Sequence, residues 1–285
     1  MIQGFHKITA ATYHMDPAAS PSLSSSIAQI LLRESPRKAW FSHPRLNPNY
    51  RESHESKFDL GTCAHAVLLE QDSSNIVVVD ADDWRTKAAK EQRDLARTAG
   101  KTPLLARHYD DVRNMVDAAL AYIEGSDIAE AWHDAESEVT GVWHEKGVWL
   151  RCRFDRLAKD RSSIIDYKST TDASPEGFSR QIQRMNYHLQ EAFYRRCIRA
   201  LVGTDPRCVF LAQEVTPPHD PSLAACSNAM REIADAEVER AIGMWRQCLA
   251  SGEWPGYPKR ICYAEPTSFM IQDHEYNLSI EREVA

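Results

Sequence analysis

The chain has no uninterrupted apolar stretch approaching the ~18 residues that a membrane-spanning helix requires. Its opening residues, MIQGFHKITAATYHMDP, hold no apolar block of the kind that heads a secretory signal, so a cytoplasmic protein is the expectation. Cysteine is sparse and scattered. The seven thiols (Cys63, Cys152, Cys197, Cys208, Cys226, Cys248 and Cys262) include no Cys-x-x-Cys pair, so neither a zinc ribbon nor a cysteine-clustered iron–sulfur site is signalled. In a reducing compartment they are expected to be free and mostly core-filling. Positive charge is short as well. A net charge of −7 weighs against a protein that coats nucleic acid by bulk attraction, yet it leaves room for a local basic groove, because clustering matters more than the sum. No internal repeat is visible.

What is present is an ordinary globular composition in 285 residues, long enough to bury a substantial core in one large domain. Residues 1–20 read as a loose lead-in, 21–258 as a single domain with its core at about 60–215, and 259–285 as a tail holding short strands without a clear place. Ser26 and Gln29 fit a capping box for a helix through Ile27, Ile30, Leu31 and Leu32, interrupted at Ser35-Pro36. Loop is expected over 43–50, then a second helix from about Leu60 to Glu70. Ile76–Val79 reads as a short buried strand, and 81–103 as exposed helix and loop. Val112, Met115, Val116, Ala119, Leu120 and Ile123 follow helical spacing. From Glu136 to Thr170 the texture changes to strands. Residues 178–202 return to helix, Cys208–Val215 is one more strand, and a long helix over about 224–250 stops at Gly252 and Pro255. Helices, a three-strand meander, a helix, a strand and a helix predict an α/β fold, a mixed sheet flanked by helices.

The meander carries the chemistry. Lys146-Gly147 suits a two-residue hairpin loop. Pairing Glu145 with Val148 then sets Glu138 opposite Asp155. A four-residue loop at Lys159–Ser162 pairs Ala158 with Ser163 and sets Asp155 opposite Asp166. In that register Glu138, Asp155 and Asp166 form a row on one face, with Lys168 beside them and Tyr167 pointing away. Opposed Cβ atoms lie only about 5 Å apart, so three carboxylates need a raised pKa or a divalent cation between them. Oxygen ligands suit Mg²⁺, with Mn²⁺ as a substitute. A one-residue slip would send one acid to the other face. Glu136, of the same parity as Glu138, competes for its role. For Asp155, between Arg153 and Arg156, a surface ion pair is the bland alternative. Asp166 interrupts the apolar run Ile164-Ile165, where a charge is costly unless it has a partner. On the following helix Gln183, Tyr187, Gln190 and Tyr194, spaced 4, 3 and 4 apart, are expected to share one face that contacts substrate. Arg151, Arg153, Arg180 and Arg184 are candidates for tracking a nucleic-acid backbone.

Asp155 followed by Ile165-Asp166-Tyr167-Lys168 resembles the Asp…Asp/Glu-x-Lys signature of restriction-endonuclease-like nucleases. Tyr13-His14, Ser35-Pro36, Gly61-Thr-Cys-Ala-His65 with Leu69-Glu70, Gln190-x-x-x-Tyr194 and Trp254-Pro-Gly-Tyr257 extend the likeness to RecE-type exonucleases, the exodeoxyribonuclease-eight-like proteins of phages and prophages. The resemblance implies a restriction-endonuclease-like fold with added N-terminal helices. It also implies metal ligation by His65, Asp155, Asp166 and the backbone carbonyl of Tyr167, and catalytic roles for Lys168, Asp166, Asp155 and Glu138. Gln190, Tyr194, Tyr187 and Gln183 would bind substrate.

The activity implied is a Mg²⁺-dependent exodeoxyribonuclease that resects double-stranded DNA ends 5′ to 3′ for recombination and repair. A single-strand-annealing recombinase would be its partner and a ring its homo-oligomer. An endonuclease of the same fold, structure-specific or cutting internally, and a non-catalytic DNA-binding relative are the alternatives. No membrane role is expected.

Overall fold

The computed structural model describes residues 1–51, 60–70 and 76–284. In chain order the elements are β1 (Gly4–Lys7), α1 (Ala10–His14), β2 (Ser22–Leu23), α2 (Ser25–Arg33), α3 (Pro36–Phe41), α4 (Leu60–Glu70) and β3 (Ile76–Val79). Then come α5 (Lys87–Thr98), β4 (Thr102–Leu105), α6 (Ala106–Glu124), α7 (Ala129–His133), β5 (Ala135–Glu145), β6 (Val148–Ala158) and β7 (Ser163–Thr170). The chain continues with α8 (Pro175–Arg184), α9 (Tyr187–Leu201), β8 (Arg207–Glu214), β9 (Pro221–Ala224), α10 (Asn228–Ser251) and α11 (Ser268–Val284). Two compact units result, residues 1–254 and residues 255–285, the second built around α11.

Capping chemistry sets most helix starts. Ser24, Ser35, Thr86, Ser174 and Ser227 each accept a backbone N–H of the first turn, and Pro36 and Pro175 follow their caps directly. The cap of α2 is thus Ser24, two residues before the expected Ser26, because its Oγ already takes the Ile27 N–H. Gly252 ends α10 in the left-handed conformation that glycine adopts without strain (φ +72°).

The main sheet is ordered β1-β5-β6-β7-β8-β9, with β2 paired in parallel to β6. β5, β6 and β7 form the antiparallel meander, β7 and β8 run parallel across the α8–α9 crossover, and β9 returns antiparallel to β8. This is the α/β architecture expected from the element order. The lead-in is not loose, because its residues 4–7 pair with Val139–Val142 as an edge strand.

Apolar cores cover both faces. On one, Phe154, Ile164 and Trp143 pack with Ile27 and Leu31 of α2, Leu189 and Phe193 of α9, and Val238 and Trp245 of α10. On the other, Ile165, Tyr167, Val209 and Leu211 pack with Leu68 and Leu69 of α4 and Ala119 and Ile123 of α6. Apart from the main sheet, β3 and β4 make a parallel pair connected through α5. Val78 there is 44% exposed, so β3 is not the buried strand that its apolar run predicts.

Two further expectations fail. The helix over 178–202 is two helices, broken at Asn186 in the left-handed conformation, where Arg33 donates two hydrogen bonds to its side-chain oxygen. The last segment forms α11 instead of short strands. Its Phe269, Met270 and Tyr276 are exposed.

Candidate active site

Both hairpin registers are as the turns dictate: Glu145 pairs with Val148 and Arg156 with Ile165. At the functional positions, however, the ladders give way. Pairing between β5 and β6 skips Glu138 and Asp155, and Glu138 has φ +57°. A left-handed non-glycine residue costs on the order of 1–3 kcal/mol and persists only where its surroundings determine it. On one side of this point Val139 and Phe154 pack in the core under α9. On the other, Ser137 Oγ donates to the Leu69 carbonyl of α4 and the Arg156 guanidinium lies 4.7 Å over the Trp132 ring. Side-chain alternation therefore reverses in both strands at the same pair, which leaves the register intact.

The β6–β7 ladder stops at Arg156–Ile165, and the Tyr167 N–H donates to Asp155 Oδ2 at 2.9 Å. The expected row of three acids on one face is accordingly not formed. Asp155 turns to His65 of α4, and Asp166 turns to α9.

On the α4 side, His65 Nε2 lies 3.3 Å from Asp155 Oδ2 and His65 Nδ1 lies 3.9 Å from Glu138 Oε1. One ligand atom from each of these three residues lies within 4.8 Å of the others. Glu138 also accepts a hydrogen bond from Arg153 Nε. Glu136, its competitor, stands apart in an ion pair with Arg161 at 2.7 Å. Burial and the neighbouring Asp155 push the Glu138 carboxyl above its usual range. For Asp155 burial acts upward too, but His65, Lys168 and the Tyr167 N–H outweigh it and hold the carboxyl below the usual range. Burial would strip His65 of its proton, yet Asp155 and Glu138 win and raise the imidazole.

On the α9 side, Lys168 Nζ meets Asp166 Oδ2 at 2.5 Å, and Tyr194 Oη donates to Asp166 Oδ1 at 2.8 Å. Gln190 Nε2 reaches both Asp166 Oδ1 at 3.2 Å and Tyr194 Oη at 2.6 Å. Burial, with the Asp155 charge added, lifts the Asp166 carboxyl to about 6 against the pull of Lys168 and Tyr194. Burial disfavours the Lys168 ammonium, but Asp166 and Asp155 raise its pKa, so it stays charged at neutral pH. Its Nζ sits 4.8 Å over the Tyr187 ring, a cation–π contact.

The proposed substrate stripe is redistributed. Gln183 belongs to α8, is exposed, and does not share a helix with Tyr187, Gln190 and Tyr194. Tyr194 is 2% exposed and holds Asp166 instead of presenting itself to a ligand. At Tyr167 the backbone N–H is held by Asp155 Oδ2. Among the four arginines, Arg151 is buried on the Ser22 carbonyl and hydroxyl and 3.2 Å from Asp16, so it cannot track a ligand. Arg153 serves Glu138 and the Ile8 carbonyl. Arg180 and Arg184 are exposed, the former 3.7 Å from Asp172. Asn186, which anchors the start of α9, was not singled out by the sequence; asparagine's tolerance of positive φ is its one local signal.

Two carboxylates and an imidazole converging this closely suit a divalent cation: the acids repel each other, and a cation resolves the repulsion. His65, Glu138 and Asp155 are the residues placed to hold it, with Asp166 and Lys168 beside them. A mixed sheet with such a group where its central strands separate defines an α/β protein with a sheet-borne acidic centre.

The particular family follows from comparison. Residues 32–267 match the family described as a PDDEXK-like domain of unknown function (DUF3799), and the chain belongs to that family. No curated protein matches. Among solved structures, the chain is similar to a protein provisionally named an exonuclease from Eubacterium rectale, at 12% identity with a TM-score of 0.59, over 94% of this chain and 98% of that one. At that identity the likeness shows the fold alone. A second structure, SSO0001, overlaps 72% of this chain and 96% of its own at 15% identity with a TM-score of 0.26, too low to argue from.

Proposed function

We propose that the chain is a Mg²⁺-dependent deoxyribonuclease, and specifically a RecE-type exonuclease that resects duplex DNA ends 5′ to 3′. The observation that carries the reading is the convergence of His65, Glu138 and Asp155 within 4.8 Å, next to an Asp166–Lys168 pair at 2.5 Å. Membership of a PDDEXK-like family and a fold shared with a protein provisionally named an exonuclease support it.

Phosphodiester hydrolysis is extremely slow without a catalyst, so a site must supply both charge neutralisation and an oriented nucleophile. When bound at His65, Glu138 and Asp155, a divalent cation supplies Lewis-acid charge to the phosphoryl oxygen and makes its water more acidic. Lys168 brings a permanent ammonium to the developing negative charge and can orient the attacking water. Asp166 holds Lys168 in place, and Tyr194 and Gln190 hold Asp166. Arg153 steadies Glu138 in its strained backbone conformation.

The same reading proposes a single-strand-annealing recombinase as consumer of the 3′ strand, with a ring-shaped homo-oligomer as the working form. The test is timed digestion of end-labelled linear duplex with Mg²⁺, in parallel with a covalently closed circle and with Lys168→Ala. Loss of label from 5′ ends, an intact circle and an inactive variant are expected. Cutting of the closed circle would turn the assignment to an internally cutting endonuclease, and equal activity of Lys168→Ala would remove the assigned centre.

A further inference from the structure

The β3–α5–β4 arm carries an excess of positive charge on an exposed helix. Residues 85–107 hold seven Lys and Arg against two acids, within a protein whose net charge is −7. On α5, Lys87, Lys90, Arg93 and Arg97 are spaced 3, 3 and 4 apart, so they form one stripe. Ala89 and Ala96, on another side of the helix, are buried. Lys87, Lys90, Arg97 and the following Lys101 are exposed. Lys87 has Glu91 at 3.8 Å and Arg93 has Asp94 at 2.8 Å, whereas Lys90, Arg97 and Lys101 have no carboxylate within ion-pairing distance among the described residues. Solvated surface helices normally intersperse both signs; on this stripe Lys90 and Arg97, with Lys101 just beyond it, have no ion-pair partner among the described residues.

Its position gives the charge a use. Leu104 of β4 packs with Cys63 and Ala64 of α4, the helix that carries His65, and with Val112 and Met115 of α6. The arm is therefore built onto the same framework as the acidic centre. Gly100, just past the end of α5, lies on the rim of a cleft of about 1440 Å³ that Lys7, Trp132, Glu138, Arg153 and Arg156 also line. That volume exceeds the roughly 300–1,000 Å³ of a small-molecule site, and suits a polymer. The cleft's own cations are committed: Lys7 donates to the Ser137 carbonyl, Arg153 to Glu138 and the Ile8 carbonyl, and Arg156 to Ser137 and Trp132. The arm, by contrast, offers Lys90, Arg97 and Lys101 without an ion-pair partner among the described residues.

We infer that the α5 arm is a grip for the phosphodiester backbone of nucleic acid, holding the substrate along the cleft that opens onto Glu138. This rests on the nuclease reading for its choice of polyanion.

The experiment measures binding of a fluorescent duplex of about 30 base pairs, by anisotropy in EDTA across a salt series. Wild type is compared with Lys87→Gln/Lys90→Gln/Arg97→Gln/Lys101→Gln. Glutamine is a good helix former at these exposed positions, and matching thermal melts check the fold. Each lost phosphate contact removes about 0.9 from the slope of log affinity against log salt, so a slope shallower by about 3 to 4 is expected, with binding at least about tenfold weaker at roughly 0.1 M salt. A variant carrying Arg at the lysine positions and Lys at position 97 is expected to bind like wild type. Equal slope and affinity for the glutamine variant, or no duplex binding by wild type, overturns the inference. Digestion with Mg²⁺ reads the nuclease assignment separately. Charge-dependent binding without cleavage keeps the grip and removes the nuclease, and cleavage with unchanged binding does the reverse.

Discussion

The backbone N–H of Tyr167 donates to the side chain of Asp155 at 2.9 Å, at the point where the ladder between their two strands ends. One carboxylate oxygen thereby does two things: it closes the sheet where a backbone carbonyl would otherwise have served, and it faces His65 Nε2 at 3.3 Å. The sheet's separation and the acidic centre are one structural feature.

Asp155→Asn follows from that relationship. The amide oxygen can still accept the Tyr167 N–H, so the fold should survive, with a melting temperature close to that of wild type. The negative charge toward His65 and Glu138 is gone. Divalent-cation affinity is expected to drop by at least about tenfold, roughly 1.4 kcal/mol, read by calorimetric titration with Mn²⁺. Unchanged affinity would show that the cation is held elsewhere.

Tyr194→Phe removes one donor from Asp166 while keeping the ring against Phe154, whose centroid lies 5.0 Å away. Removing the partner of a buried charged acceptor costs roughly 1.5–3 kcal/mol. Gln190 and Lys168 still contact the carboxylate, so the protein should fold. Turnover of linear duplex is expected to fall about tenfold or more, with KM nearly constant, because the phenol positions Asp166 and does not meet substrate. A change confined to KM would instead make Tyr194 a substrate contact.

Much of the sheet could be read in advance because its turns are written in local chemistry. Lys146-Gly147 has both residues at positive φ, and Arg161 takes the same conformation in the second loop, so both loops fix their registers. The acids' neighbourhood followed from those registers, but not their directions. The reversal at Glu138 and Asp155 is imposed by α4 and α9 packing on opposite faces, and no residue pattern inside the strands announces it. Likewise the Gln183–Tyr187 spacing imitates a continuous helix. The break at Asn186 is fixed by Arg33, far away in sequence, which only tertiary structure brings near.

Gly141 tests how tightly α9 seats on this sheet. A Cβ there would lie 2.4 Å from Cys197 Sγ, 3.2 Å from the Phe154 ring and 3.3 Å from Cys152 Sγ. Overpacking of this kind typically costs about 1–3 kcal/mol, so Gly141→Ala should lower the unfolding free energy from denaturant titration by that amount. Cys197→Ala in the same chain removes the nearest atom and should recover part of the loss. No recovery in the double variant would place the strain in the strand backbone and not in the α9 contact.

Asp16 offers a pH test remote from the acidic centre. Its buried carboxylate accepts from the Ser22 N–H at 2.9 Å and the Ser22 hydroxyl at 2.5 Å, and lies 3.3 Å from His43 and 3.2 Å from Arg151. Burial acts to raise its pKa, but His43, Arg151 and Ser22 outweigh it and hold the carboxyl below its ordinary 3.8. A folded-state pKa below the unfolded one means the unfolded chain binds protons more readily, so the stabilisation is complete above about pH 4 and is lost as pH falls through the folded value. Asp16→Asn keeps a residue that tolerates the backbone φ of +57° at this position while stranding Arg151 without its charge partner. Breaking a buried pair in this way costs on the order of 3–5 kcal/mol. Urea unfolding should therefore show a large gap between wild type and variant at about pH 6, narrowing steadily toward about pH 3 as the wild-type carboxyl takes up its proton. A gap that stays constant across that range would mean that Asp16 is held by hydrogen bonds alone, with the charge of Arg151 contributing nothing.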